Sequence, residues 1–452
     1  MPPQIALVLC TAFVLFLLRL SSKQFPEVSY TLWIPTIYML MISSKPLGIW
    51  FGIGGVDMEA GSPLDRAVLS VMLCLSIVIL FQRQFSLIHA IHENPWITIL
   101  IGYMFISIFW SDIPFSSFKR WVRELVPLTM AFLLSSEKKP LHALQCVLTR
   151  TIYILIPFSL MLIKYYPNLG VEYGRWSGDL MWIGVASQKN GLALVCLISF
   201  FFLIWTLTRR WRESDIPVAR YQTYIDVFLL LLTIWIFLGP NHTPTYSATS
   251  TIALTVGLTA FAGFLWMKKH GRYLGAGILM VIIVFVISYG TITPFVGKLS
   301  IIDVSSAFGR DETLTERTVI WASLVPYAMK NPLLGHGYGG FWNDKMRRET
   351  SSHAHNGYLD TILDLGIIGV IFFSVFLVSS CKKAYSIMAY EFDWSILWIC
   401  FLLMAAVHNI AESSITSLEN LLVSILLFLA VCSKNSLIHT PVLVRARYFT
   451  KR

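Results

Sequence analysis

Two histidines, an asparagine and two aspartates crowd the stretch SSHAHNGYLDTILDLGIIG at residues 351–369, which begins as polar as an active site and ends as apolar as a membrane helix. Histidine titrates near neutrality and is the commonest general base. His355, beside Asn356 at a helix entry, is therefore the first candidate for proton transfer, with His353 the second. His353, Asn356, Asp360 and Asp364 are spaced i, i+3, i+7 and i+11, one face of a helix. Ionisable groups at bilayer depth are costly and mark function by default. The plainer role for Asp360 and Asp364 is to cap or pair with neighbouring helices.

Other residues could join this chemistry. His336, His353 and His355 could supply three nitrogens to a zinc-like ion, but no H-E-x-x-H pattern and no cysteine set supports them, so no metal and no cofactor is expected. Arginine binds phosphate oxygens through a planar fork of donors. Arg310 and Arg317 bracket DETLTE, Arg175 lies in EYGRWSG, Lys189 in SQKNG, and Lys119, Arg120 and Arg123 on another connection. These cations either bind an anionic ligand, pair with Asp311, Glu312 or Glu316, or snorkel from helix ends. The patch HNIAESSI at 408–415 places His408 and Glu412 four residues apart, as an ion pair or as polar glue between helices.

The elements that must position these groups are membrane helices. Of 452 residues, 56% are hydrophobic and 13% charged, about half the charged share of a typical soluble protein. Apolar windows long enough to cross a bilayer recur near 4–20, 28–44, 66–82, 95–111, 123–136, 144–164, 185–207, 224–240, 247–267, 273–293, 357–380, 395–411 and 418–433. The window at 123–136 is short and holds Pro127, so twelve or thirteen spans are expected, in an all-α polytopic integral membrane protein. The first window lacks a basic leader and a small-residue cleavage site and reads as a retained span. The seven cysteines lie in or beside apolar spans, with no C-x-x-C pair.

Basic clusters at 135–140, 208–220, 267–273, 381–385 and the C-terminal tail place those connections on the cytoplasmic side. Connections 45–65, 112–122, 165–184, 241–247, 294–356 and 412–418 then face outward, and the basic residues kept at 119–123 and 294–356 call for an anionic ligand. The organisation read from this is a bundle of about ten spans over 1–293, an outer loop subdomain at 294–356, further membrane helices over 357–433 and a basic tail at 434–452. Structureless loops as long as 294–356 are uncommon. This one predicts a helix from about Thr315 to Asn331, with Trp321, Leu324, Tyr327 and Met329 at helical spacing. Its GHGYGG run, 335–340, predicts a tight turn that needs glycine conformations.

The segments GRDETLTERTVIW, NPLLGHGYGGFW and SSHAHNGYLDTILDLGIIGV resemble the O-antigen ligase and polymerase superfamily, in its exopolysaccharide-polymerase-like branch. WSDIPFSSFKRW, ASQKNGLAL and the HN…ES patch resemble it too, so the likeness runs from about residue 100 onward. The resemblance implies an inverting, metal-independent glycosyltransferase. Its donor would be a saccharide on undecaprenyl diphosphate, its acceptor another glycan, and its place the outer face of the bacterial inner membrane. It implies His355, or else His353, as the base, and Arg317 as one phosphate-binding residue. The second falls on Arg175 or Lys189, and Arg310 is a further candidate, with Asn356, Asp360 and Glu412 in support. Where the family more often has glycine before that arginine, this chain has Glu316. Membrane lipid and other polysaccharide assembly and export proteins are the implied partners, and no nucleic acid is.

Three activities remain in view. A polymerase would use a second lipid-linked repeat as acceptor, and the GRDETLT…IW form leans that way. A ligase would use the lipid A core. A proton-coupled transporter or flippase could use Asp360, Asp364, His408 and Glu412, although no inverted repeat of the sort many transporters show is evident.

Overall fold

The computed structural model describes residues 1–53, 62–174, 178–212, 220–240, 247–272, 274–296, 312–350, 353–414 and 416–433. Arg175, Arg310 and the tail at 434–452 lie outside the described residues, as does the side chain of Glu316. The protein is an all-α polytopic membrane protein. The helices used below are α1 (Pro3–Gln24), α2 (Trp33–Ile42), α3 (Pro63–Gln82), α4 (Pro95–Ser107), α5 (Pro114–Ser135) and α6 (Pro140–Tyr165). After a two-stranded hairpin follow α7 (Lys189–Arg212), α8 (Arg220–Phe237), α9 (Ala248–Lys269), α10 (Ala276–Val296), α11 (Glu312–Lys330) and α12 (Asp344–Glu349). The chain closes with α13 (Gly357–Ser386), α14 (Phe392–His408) and α15 (Leu421–Cys432).

Eight of these helices among the described residues are long and apolar enough to cross a membrane, and four shorter apolar helices accompany them. Several begin on proline (α1, α3, α4, α5 and α6), a residue whose missing N–H costs nothing in a first turn. Their outward faces are apolar: Val8 is 66% exposed, Val281 68% and Phe285 69%. Side chains of that kind, repeated around a bundle, need lipid as solvent. The centre is occupied by α6, α14 and α15, most of whose residues are buried, and by the larger part of α7.

Three expectations change. The short window at 123–136 is the second half of α5, a 22-residue helix that also takes in most of the connection expected at 112–122. Lys119, Arg120, Arg123 and Glu124 thus sit on a helix. The connection at 165–184 carries an antiparallel hairpin, β1 (Val171–Tyr173) on β2 (Leu180–Trp182), that no helical periodicity foretold. Finally, α13 begins at Gly357, so His353 precedes the helix and does not share a face with Asp360 and Asp364. The α11 helix and the glycine turn agree with expectation: Gly335, Gly337 and Gly339 all have positive φ.

One irregularity docks the 331–342 loop onto the bundle. Gly366 has φ 66° and ψ −170°, which breaks α13 one third of the way along. The groups released there are taken up by other segments. Leu363 O accepts from His336 N and Nδ1, each at 2.9 Å; Ile367 N donates to Pro332 O at 2.8 Å; Tyr103 of α4 donates to Leu365 O at 2.8 Å. Non-helical backbone within a membrane bundle persists only where protein or water satisfies it. A Cβ on Gly366 would collide with the Leu333 carbonyl. Gly366→Ala should therefore cost at least about 1–2 kcal/mol from the left-handed backbone alone and lower the thermal unfolding midpoint in detergent. Gly263→Ala, inside α9 and facing open space, should be neutral or stabilising by up to about 1 kcal/mol.

Candidate active site

The chain around the two histidines is pinned on both sides of His355. Ala354 N donates to Asp360 Oδ1 at 3.0 Å, and Ala354 O accepts from Trp321 Nε1 of α11 at 2.8 Å. Asn356 caps α13 by accepting from Leu359 N at 2.9 Å, while its amide donates to Gly290 O of α10 at 3.0 Å. His355, held between these anchors, has φ 53°. A non-glycine residue in that region costs of order 1 kcal/mol and persists when its surroundings over-determine it.

Asp360 is the anchor of this arrangement. Its Oδ1 also accepts from Trp342 Nε1 at 3.0 Å, and its Oδ2 accepts from Ser413 Oγ. One buried carboxylate thereby fixes the glycine turn, the histidine segment and the loop after α14. Asp364 accepts from Phe341 N at 3.3 Å and serves the same turn. The contacts of both aspartates go to loops, not to the neighbouring helices that the plainer role named.

The candidate groups meet on Glu412. Its Oε1 accepts from Arg317 of α11 at 2.9 Å and from Asn190 Nδ2 of α7 at 2.6 Å. Its Oε2 lies 3.7 Å from His355 Nδ1, an ion-pair distance that leaves this nitrogen without a hydrogen bond. The His353 and His355 rings stand 4.0 Å apart. Burial, and then the neighbouring His355, pulls His353 down to about 4, so it is neutral at pH 7. Burial by itself would raise the Glu412 carboxyl, but His355 and Arg317 outweigh it and hold it below its ordinary value. Among the described residues Arg317 commits one N–H to Glu412 out of the five a guanidinium has, which leaves donors for a further anion.

The sequence candidates thus separate. His353, His355, Arg317 and Glu412 come together, with Asn356 and Asp360 as their supports. Lys189 opens α7, half-buried, one residue before Asn190. His408 does not pair with Glu412: its Nδ1 contacts Ser414 Oγ at 2.7 Å and its Nε2 Ser250 Oγ at 3.4 Å. Sequence reasoning missed Asn190, because in SQKNG the lysine beside it drew the attention. It also missed the Arg317–Glu412 pair, whose members are 95 residues apart.

A metal set exists on geometric grounds: ligand atoms of His353, His355 and Glu412 lie within 4.8 Å of one another. The donor chemistry fits a cation poorly. Glu412 Oε1 is already shared by Arg317 and Asn190, and the guanidinium supplies the positive charge a metal would bring. His336, the third nitrogen considered from the sequence, is turned onto Leu363 O.

The protein is a polytopic membrane protein whose sequence is similar to proteins of the O-antigen ligase/polymerase-like kind. Residues 241–374, which include Arg317, His353 and His355, match the family described as O-Antigen ligase. Over 303 residues the chain is 22% identical to the exopolysaccharide production protein ExoQ of Rhizobium meliloti (strain 1021). The alignment spans 63% of this chain and 64% of that protein, a little under two thirds of its length.

Glu412→Ala leaves Arg317 and Asn190 without their acceptor and should lower stability by about 3 kcal/mol, measured by denaturant unfolding in micelles. Glu412→Gln still accepts from Arg317 and should cost roughly 1–2 kcal/mol. Because the folded carboxyl titrates below its ordinary value, its contribution is complete above that value and is lost as pH falls through the lower folded one. Stability should therefore decline on acidification in the native protein. It should decline less in Glu412→Gln, which lacks that carboxyl's share and keeps others such as that of His353, lost as pH falls from the ordinary histidine value to about 4.

Proposed function

We propose that the protein is an inverting glycosyltransferase that moves an oligosaccharide from undecaprenyl diphosphate to an acceptor glycan, acting as a polysaccharide polymerase. The observation that carries this reading is the single carboxylate, Glu412, that joins a guanidinium to a histidine at the entry of a membrane helix.

The acceptor hydroxyl gives its proton to His355 while its oxygen attacks the anomeric carbon of the donor sugar. The bond from that carbon to the diphosphate oxygen breaks on the opposite face, which inverts the configuration, and undecaprenyl diphosphate leaves with the electron pair. Glu412 Oε2, 3.7 Å from His355 Nδ1, stabilises the imidazolium as it forms. The uncommitted donors of Arg317 receive the charge that develops on the leaving diphosphate, the task a divalent metal performs in many soluble transferases. Lys189, Arg175 and Arg310 are assigned a share in holding that diphosphate. The reading places the site on the periplasmic side of the inner membrane, where the 294–356 subdomain covers the bundle formed by 1–293 and 357–433.

Purified protein in liposomes, supplied with undecaprenyl-diphosphate-linked repeats of the native host and no other acceptor, should build a ladder of lipid-linked oligomers. His355→Ala should slow its growth by roughly 10²–10⁴-fold, and EDTA should leave the rate unchanged. A product formed only when lipid A core is added would make the protein a ligase, the reading that the O-Antigen ligase description favours. Movement of the donor across the bilayer without glycosidic product, insensitive to His355→Ala, would replace transfer by transport.

A further inference from the structure

The histidine pair has a second flank. A cavity of about 260 Å³ opens between α5, the glycine turn and the 413–419 loop, with His353 in its wall. Arg317 and Glu412 do not line it. Its carboxylates are provided for: Glu124 accepts from Tyr338, from Ser417 at 2.7 Å and from Leu418 N at 2.7 Å. Glu419 pairs with Arg123 at 2.6 Å. Asp360 and Asp364 hold the loops as described above.

Two arginines in the same cavity are differently placed. Arg120 of α5 donates to Gly339 O and, at 3.4 Å, to Trp342 O. Arg347 of α12 donates from Nε to the same Trp342 O at 3.0 Å. Sharing one carbonyl brings two guanidiniums together, and among the described residues neither has a carboxylate within 4.0 Å. Burial, and then the charge of Arg120, depresses Arg347 below its ordinary value. The terminal NH2 groups of Arg347 make no hydrogen bond among the described residues. Asp364, Asp344 and Asp360 offset the charge of Arg347, and Asp364 that of Arg120, without a direct ion pair, and an anion bound directly between the two like charges would stabilise them further.

We propose that Arg120 and Arg347 form a subsite for an acidic substituent on the acceptor saccharide, so that the enzyme selects acceptors bearing a carboxylate or similar oxyanion near the hydroxyl that is glycosylated. This rests on the transfer reading above. The cavity's remaining lining suits a sugar: the hydroxyls of Ser413 and Thr416 and the edge of Trp342. Its position suits an acceptor, because a sugar held there lies against His353, whose ring is 4.0 Å from the proposed base. The donor diphosphate has its own guanidinium on the other flank, Arg317.

The test is binding to the full-length protein in nanodiscs, with three probes: a glucuronate-terminated disaccharide, its glucose-terminated counterpart and inorganic pyrophosphate. The native protein should prefer the glucuronate probe, and Arg347→Gln should weaken that probe about tenfold, one charge-assisted contact, with the neutral probe unchanged. Arg120→Gln should act in the same direction, and size-exclusion and thermal unfolding profiles report whether each variant folds. Equal binding of the two disaccharides by the native protein overturns the proposal without need of any variant. Loss of pyrophosphate binding, rather than glucuronate binding, in Arg347→Gln also overturns it and assigns the arginines to the donor diphosphate. Discrimination between the disaccharides in a protein that forms no glycosidic product would leave this subsite standing and remove the transfer reading instead.

Discussion

A carboxylate withdrawn from water must be surrounded by polar partners, and Glu412 draws its partners from three distant parts of the chain. Asn190 comes from the start of α7, Arg317 from α11 and His355 from the turn before α13. None of these groups is adjacent to another in sequence, so the site exists only when the bundle, the 312–350 segment and the loop after α14 are all in place. A buried ion pair of this kind contributes little net stability compared with apolar packing, but breaking it is costly. Its value here is positional: it sets a guanidinium and an imidazole on one carboxylate.

Asp360 does the complementary work from behind. By accepting from Trp342, Ala354 and Ser413 it ties the glycine turn, the histidine segment and the 412–419 loop to the first turn of α13. The break at Gly366 completes the attachment, since the carbonyls and amides it frees are those the loop at 332–336 needs. The two backbone irregularities here, His355 with positive φ just before α13 and Gly366 with positive φ within it, therefore serve one purpose. They let a membrane helix receive a polar loop without leaving backbone groups unpaired at membrane depth.

Much of this was legible in the sequence. Apolar windows and the scarcity of charge pointed to the polytopic helical fold, the glycine run to its turn, and the density of titratable groups at 351–364 to the candidate site. What the sequence could not give were pairings set by tertiary contact. His408 and Glu412 have the spacing of a helical pair, yet α14 ends at His408 and the chain turns, so the histidine finds Ser414 while the carboxylate finds Arg317. Helical spacing likewise aligned His353 with Asp360, but Asn356 caps the helix and leaves the histidine outside it. The sequence left Arg120 open between binding an anion, pairing and snorkelling, because its partners are backbone carbonyls of a loop more than two hundred residues away, which leave no trace in side-chain patterning.

Arg317 and His355, gathered by Glu412, are proposed to face the diphosphate end of a lipid-linked sugar. The direct measurement is a cryo-electron-microscopy map of the full-length protein in nanodiscs with undecaprenyl diphosphate bound. The account predicts phosphate density within hydrogen-bond reach of the Arg317 guanidinium, with His355 open toward the position the sugar would occupy. Density for the head group at the opposite end of the bundle, or on this end but away from Arg317, would contradict it.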